Sequence, residues 1–194
     1  MRVFCLITHV VLRCTASFIA NRRAVLLWLW CGLLGAAVVG CDEGLKPPPP
    51  PTILSGTITY VGGRASWPPA DSVLNLRLVA FKEFPPRDIF GEIIMRRAYY
   101  TPEGLTLDST LAKFAERTAY SIEIPDPAPE ELQYIAVVML VNPQILLPSS
   151  WRVVGIHNVN GDNTRPARLR VTPNAENRAD IRVDFRNLPP QPFN

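Results

Sequence analysis

The chain has 194 residues, 20 basic against 17 acidic side chains, 20 prolines, four cysteines and two histidines. Proline at well over its usual share of about 5% excludes long helices through most of the chain. The formal charge of +3 is unevenly carried: Arg2, Arg13, Arg22 and Arg23 stand in the first 40 residues with no acid among them. The remainder of the chain is near neutral, which removes the basic face that a nucleic-acid role needs.

Within those first residues Arg22 and Arg23 form a positive flank, residues 24–39 carry no charge, and Gly35, Ala36, Ala37 and Gly40 bring small side chains to the end. This is the three-part organisation of a secretory signal. An uncleaved membrane anchor competes with it, because residues 24–41 fall just short of the roughly 20 needed to cross a bilayer as a helix. A spanning helix needs no cysteine at its end, whereas lipid attachment requires a thiol there. Val38-Val39-Gly40-Cys41 resembles the lipobox of a bacterial lipoprotein. The resemblance implies cleavage between Gly40 and Cys41, a diacylglyceryl group on the Cys41 thiol, and a cell-envelope address with membrane lipid as the partner held through Cys41. Asp42 resembles an inner-membrane retention signal and Asp42-Glu43 an acidic surface-export tag, so membrane and leaflet stay open. Residues 1–21 make a long leader, either extended or preceding a later start, and are set aside from fold reasoning.

Cys5, Cys14 and Cys31 lie in residues 1–40, so Cys41 is the one cysteine left and lipidation consumes it. Disulfides, zinc-thiolate sites and thiol nucleophiles are therefore not expected after cleavage. Residues 41–52 read as the lipidated cysteine and a tether, in which the prolines at 47–51 favour an extended polyproline II spacer of roughly 15 Å that stands the domain off the membrane. Residues 53–187 form the folded domain, held by its own core, and residues 188–194 a proline-rich tail.

Seven strand patterns occupy the domain. In residues 53–61 Ile58 and Tyr60 share a face; in 73–81 Leu74, Leu76, Leu78 and Ala80 lie opposite Asn75 and Arg77. Residues 118–124 put Tyr120, Ile122 and Ile124 together, and the unbroken apolar run at 134–141 suits a central strand covered on both faces. Residues 151–157, 167–172 and 179–185 complete the set; in the last, Ile181, Val183 and Phe185 face in while Arg182 and Asp184 face out. Short strands with turn-rich connections predict an all-β, seven-stranded antiparallel β-sandwich of immunoglobulin-like or transthyretin-like type. Residues 88–97 read as a short helix or an excursion between sheets, and residues 105–116 as helix or strand.

Ser55-Gly56-Thr57-Ile58-Thr59 opening the domain, then Tyr120-Ser121-Ile122-Glu123-Ile124-Pro125 and, after a loop, Tyr134-Ile135-Ala136-Val137, resemble the carboxypeptidase regulatory-like, transthyretin-like sandwich. The family's acidic-Gly turn is replaced here by Glu116-Arg117-Thr118-Ala119, and its Pro-Pro-Gly turn by Pro125-Asp126-Pro127-Ala128-Pro129. The resemblance implies an accessory or binding module without catalytic apparatus.

Candidate chemistry is sparse. His157 is the sole histidine after the leader, at a strand end beside a turn, and no nucleophile elbow accompanies it. Asp126, Glu130 and Glu131 sit in a proline-rich connection, where acids are ordinarily solvated. Asn158, Asn160 and Asp162 alternate around Gly161 as in part of a calcium loop, but the bidentate acid about six residues after the glycine is missing, since residue 167 is Ala. Asn160-Gly161 is also a strong hairpin turn. Trp67, Tyr99 and Tyr100 are the aromatics suited to a sugar or a protein partner, whereas Trp151, opening a strand, belongs to the core. Arg96, Arg97, Tyr99 and Tyr100 together would suit single-stranded nucleic acid, which an exported domain has little occasion to meet. The expectation is a non-catalytic structural or binding domain without cofactor or metal, touching another envelope protein or a glycan. A carbohydrate- or peptidoglycan-associated module and a small envelope hydrolase using Asp or Glu are the alternatives.

Overall fold

Exposed prolines at 47–51 lead without a regular element into β1 (Thr52–Tyr60), so the first strand takes one residue from the expected tether. The computed structural model describes residues 47–101 and 111–192; Gly40, Cys41 and the expected signal lie outside them. After β1 come β2 (Asn75–Phe81), a short helix α1 (Ile89–Ile94), β3 (Ala98–Tyr100), β4 (Arg117–Ile124), β5 (Glu131–Leu132) and β6 (Tyr134–Leu140). β7 (Trp151–Ile156), β8 (Leu169–Arg170), β9 (Glu176–Arg178) and β10 (Ile181–Val183) complete the chain order. The protein is all-β in character. Among the described residues no helix is long and apolar enough to cross a membrane.

One mixed sheet runs in the order β3-β2-β6-β7-β10-β1-β4, with β9 also on β1, while β5 and β8 make a separate pair. The expected wholly antiparallel arrangement therefore gives way to a mixed one: β1 runs parallel to β9 and β10 and antiparallel to β4. Alternation reports which residues share a face, not which neighbour a strand takes or in which direction. Residues 167–172 likewise place only β8 in a strand, off the main sheet, and the three residues of β3 end the sheet instead. Of residues 105–116, those at 111–116 form turns, and the rest lie outside the described residues.

The sheet curls over a single inner core. Leu54, Ile58 and Tyr60 of β1, Tyr120, Ile122 and Ile124 of β4, and Ile181 and Val183 of β10 meet Leu76 and Leu78 of β2 and Ile135, Val137 and Met139 of β6. The alternation expected for these strands is the inner face of the curl. On the outer face Val79, Phe81, Tyr134, Ala136, Val138, Val153 and Ile156 form a second cluster under Ile89 of α1. β2 and β6 are thus buried along their whole length; β6 reads as an unbroken apolar run for that reason, whereas β2 covers Asn75 and Arg77 as well.

β10 joins the two halves of the sheet, antiparallel to β7 and parallel to β1. β9 and β10 keep one register along β1, Ile53 opposite Glu176 and Ile58 opposite Ile181, so they are one strand interrupted at Ala179 and Asp180. At the interruption Ala179 donates to the Ser55 carbonyl at 2.9 Å, and the Thr57 N–H turns to the Asp180 carboxylate at 2.9 Å. The Ala179 carbonyl accepts from the Tyr120 hydroxyl. A Cβ on Gly56 would lie 2.2 Å from that carbonyl oxygen, so only glycine fits.

Residues 188–192 are not a free tail. Pro189 is buried, and the Gln191 amide closes on the Val153 backbone, its Oε1 accepting from Val153 N at 2.8 Å and its Nε2 donating to Val153 O at 3.0 Å. The side chain stands in for a strand where β10 stops pairing with β7, and the domain extends past the expected boundary at 187.

Gly56→Ala forces backbone against backbone and is expected to cost about 1–3 kcal/mol or more; Gln191→Ala, which leaves a buried ladder position unpaired, about 1–3 kcal/mol. Urea midpoints of the two variants against wild type measure both losses.

Candidate functional site

The outer face of β2, β6 and β7 holds the site with most chemical content. Asp88 caps α1 by accepting from Gly91 N, and the buried Glu92 carboxylate forms an ion pair with Arg97, whose Nη2 donates to Oε1 at 3.0 Å while Nε lies 2.9 Å from Oε2. This charge-assisted pair ties the helix to the start of β3. The helix and the loop after β6 lie over the sheet, and Ile93 and Ile145 face a pocket with Tyr100 and Trp151 in its wall and Asn75 and Arg77 on its floor. Trp151 is half-buried and donates from Nε1 to the Ile145 carbonyl at 2.8 Å, which holds that loop down.

Asn75 and Arg77 occupy the side of β2 opposite its leucines, as the alternation predicts, but that side is covered: the two residues are 1% and 6% exposed. Arg77 Nε donates to Asn75 Oδ1 at 3.1 Å. Burial pushes the Arg77 guanidinium down from its ordinary value, an effect that neighbouring Tyr100 partly offsets. The pocket encloses about 30 Å³, room for a water-sized group, against roughly 300–1,000 Å³ for a small-molecule site. The residues that follow its lining in the chain are more telling. Ile94 and Met95 follow Ile93, Leu146 and Leu147 follow Ile145, and these four are 69%, 65%, 67% and 46% exposed. Large exposed apolar side chains that follow a pocket's lining residues in the chain make this the candidate contact surface.

Tyr99 and Tyr100 border a second, shallower groove of about 370 Å³ with Arg96 and with Pro125 beyond β4. Consecutive strand residues face opposite sides. Tyr99 packs on the inner core beneath Lys82, whose Nζ lies 5.2 Å from its ring centroid, and Tyr100 on the outer cluster. The pair is not a flat platform for a sugar ring. Trp67, expected as a contact residue, is 9% exposed, with Tyr60, Phe185 and Phe114 at ring distances of 4.5, 4.9 and 5.2 Å and its Nε1 donating to the Ala115 carbonyl at 3.0 Å. Rings from β1, from the turn before β4 and from the segment after β10 withdraw it into the core.

The calcium-like segment is spent on its own turn. Asn158 Oδ1 accepts from Gly161 N at 2.9 Å and its Nδ2 donates to Asn163 at 3.0 Å; Asp162 Oδ1 accepts from the Thr164 N–H and hydroxyl at 2.9 and 2.7 Å. Asn160 and Gly161 both take positive φ, 55° and 82°, and Asp162 N donates to Val159 O at 3.1 Å, the hairpin turn expected of Asn-Gly. Among the described residues no three His, Cys, Asp or Glu side chains gather as metal ligands.

His157 directly follows β7, and its Nδ1 meets the Asp180 carbonyl at 3.1 Å. On β1 and β9, the Ser55 hydroxyl donates to Glu176 and Arg178 pairs with Asp180 at 3.2 Å. Ser55 and His157 thus answer to different partners. Asp126 and Glu130 are exposed, and Glu131 pairs with Arg168 at 3.7 Å. Arg77 and the Ile94-Met95 and Leu146-Leu147 pairs are the site residues that sequence reasoning missed. An arginine inside a strand otherwise reading as apolar was the available signal.

The backbone hydrogen bond from Thr57, then the Arg178 guanidinium, hold the Asp180 carboxyl below the usual carboxylate range. A folded-state pKa below the unfolded value of about 3.9 gives stability that is full above that value and lost as pH falls through the folded one. Asp180→Asn is therefore expected to lower the urea midpoint at neutral pH, with the gap to wild type closing at pH values below the folded pKa. Comparison of the chain with protein-family profiles, curated proteins and solved structures finds no match.

Proposed function

We propose that this protein is a lipid-anchored component of the bacterial cell envelope, held to membrane lipid through Cys41, whose β domain is a non-catalytic binding or structural module. The single observation that supports binding is the exposure of Ile94, Met95, Leu146 and Leu147, which follow in the chain the pocket-lining Ile93 and Ile145. A pocket of about 30 Å³ fits one small side-chain group of a protein partner better than a free metabolite, and exposed large apolar side chains are a feature of protein-contact surfaces. The partner in this reading is another envelope protein.

Support for a transthyretin-like, carboxypeptidase regulatory-like ancestry comes from β1, β4 and β6, which carry the quoted motifs as strands sharing one core. The parallel pairing of β1 with β10 departs from an antiparallel sandwich. A non-catalytic role agrees with the commitment of His157 to a backbone carbonyl and of Ser55 to Glu176. A peptidoglycan- or carbohydrate-binding role is the second reading, favoured by the open groove of about 370 Å³ beside Tyr99.

Two measurements test these readings on the full-length protein. Cys41→Ala is expected to lose the lipid mass and move from the membrane to the soluble fraction; a variant that stays membrane-bound and unshifted in mass refutes the anchor. Separately, a Met95→Asp, Leu147→Asp double variant is expected to lower recovery of co-purifying envelope proteins at least about tenfold, the scale of losing a buried anchor. Unchanged recovery, or retention on peptidoglycan that Tyr99→Ala abolishes, moves the assignment to the second reading.

A further inference from the structure

β4 ends the main sheet, with β3 near it but not paired to it, and it is unusually complete for a terminal strand. Its eight residues pair with β1 without a register break and contain no proline, whereas β3, at the opposite end, has three residues. Terminal strands in soluble proteins are commonly short, bulged or interrupted by proline because an open edge recruits another strand.

The direction of the free backbone groups is set by the ladder. Tyr60 N donates to Glu116 O at 3.0 Å, which makes Ile58–Thr118, Gly56–Tyr120, Leu54–Ile122 and Thr52–Ile124 the hydrogen-bonded pairs. Arg117, Ala119, Ser121 and Glu123 therefore turn their N–H and C=O groups away from β1. All four are exposed, and no backbone partner meets these groups among the described residues.

We propose that this edge is a self-association surface, on which β4 pairs antiparallel with β4 of a second copy about a twofold axis at Tyr120. Hydrogen bonding across the axis requires the outward-turned residues to face one another. Centring on Tyr120 sets Arg117 against Glu123 of the second copy, Glu123 against its Arg117, and Ala119 against its Ser121. Sliding by one hydrogen-bonded step in either direction places an arginine opposite a serine or a glutamate opposite an alanine. Charge complementarity thus selects one register, and twofold symmetry repeats each favourable pair. The occupant is a second copy because the edge carries both halves of the charge pattern that it needs. The pairing goes beyond the proposed binding role and does not depend on Cys41.

Full-length protein in detergent, followed by sedimentation velocity, tests this. Wild type is expected to show a concentration-dependent monomer–dimer equilibrium. Arg117→Glu sets two like-charge pairs across the axis, as does Glu123→Arg, and each is expected to weaken the dimer at least about tenfold. Mixing the two variants restores opposite charges at both positions and is expected to return the dimer. Both side chains face solvent, so circular dichroism should stay that of wild type; if either variant unfolds, Arg117→Gln and Glu123→Gln are used, each weakening the dimer more mildly. A wild-type monomer at its highest soluble concentration, or a dimer indifferent to the single charge changes, overturns the proposal.

Discussion

The close approach of Gly56 to Ala179 holds the two halves of the sheet together. β10 is the only bridge in the sheet between the half built from β3, β2, β6 and β7 and the half built from β1 and β4 among the described residues, and it reaches β1 because the chain at Ala179 can lie against a residue without a Cβ. The same point gathers the polar groups that hold it. Tyr120 donates to the Ala179 carbonyl from β4, and Asp180 supplies with its side chain the acceptor that the interrupted ladder lacks. Burial, and then the Asp180 charge, push the Tyr120 phenol well above its ordinary value. Three strands are thereby locked together by one carbonyl and one carboxylate.

Closing the sheet has a consequence on its far side. Once the inner face is filled from both halves, the outer face of β2 and β6 still carries apolar residues and needs its own cover. α1 and the loop after β6 supply it, the helix pinned by the Glu92–Arg97 pair and the loop by Trp151. The cover is incomplete. It leaves a small pocket over Arg77 and pushes Ile94, Met95, Leu146 and Leu147 into solvent. The candidate binding surface is thus a by-product of burying a strand on both faces with elements too short to finish the task, which is how loops positioned by a rigid scaffold commonly come to carry function.

Much of the strand content was legible because period-two alternation is a local property. Tyr120, Ile122 and Ile124, or Ile181 and Val183, face the core for the reason visible in their spacing. Trp67 was harder, since a tryptophan followed by two prolines looks alike on a loop tip or in a core, and only Tyr60, Phe114 and Phe185 arriving from other elements decide its place. Arg77 misled for the same reason. Alternation placed it opposite the leucines correctly, yet carried no sign that the opposite side is roofed. Gln191 shows the limit most plainly: a polar residue among prolines reads as tail, and its amide completes β7 only because Val153 is left unpaired there.

Local sequence is enough to establish the all-β class, most of the strands, the Asn160-Gly161 turn and the residues that face the inner core. These rest on side-chain periodicity and on the backbone preferences of glycine, asparagine and proline, which act over a few residues. The assembled fold was needed to settle that β1 lies parallel to β10, that Asn75 and Arg77 are covered while Ile94 and Leu146 are not, and that β4 is left as an open edge. Each of those depends on contacts between segments far apart in the chain, and local preferences carry no record of which distant partner will compete for the same face or edge.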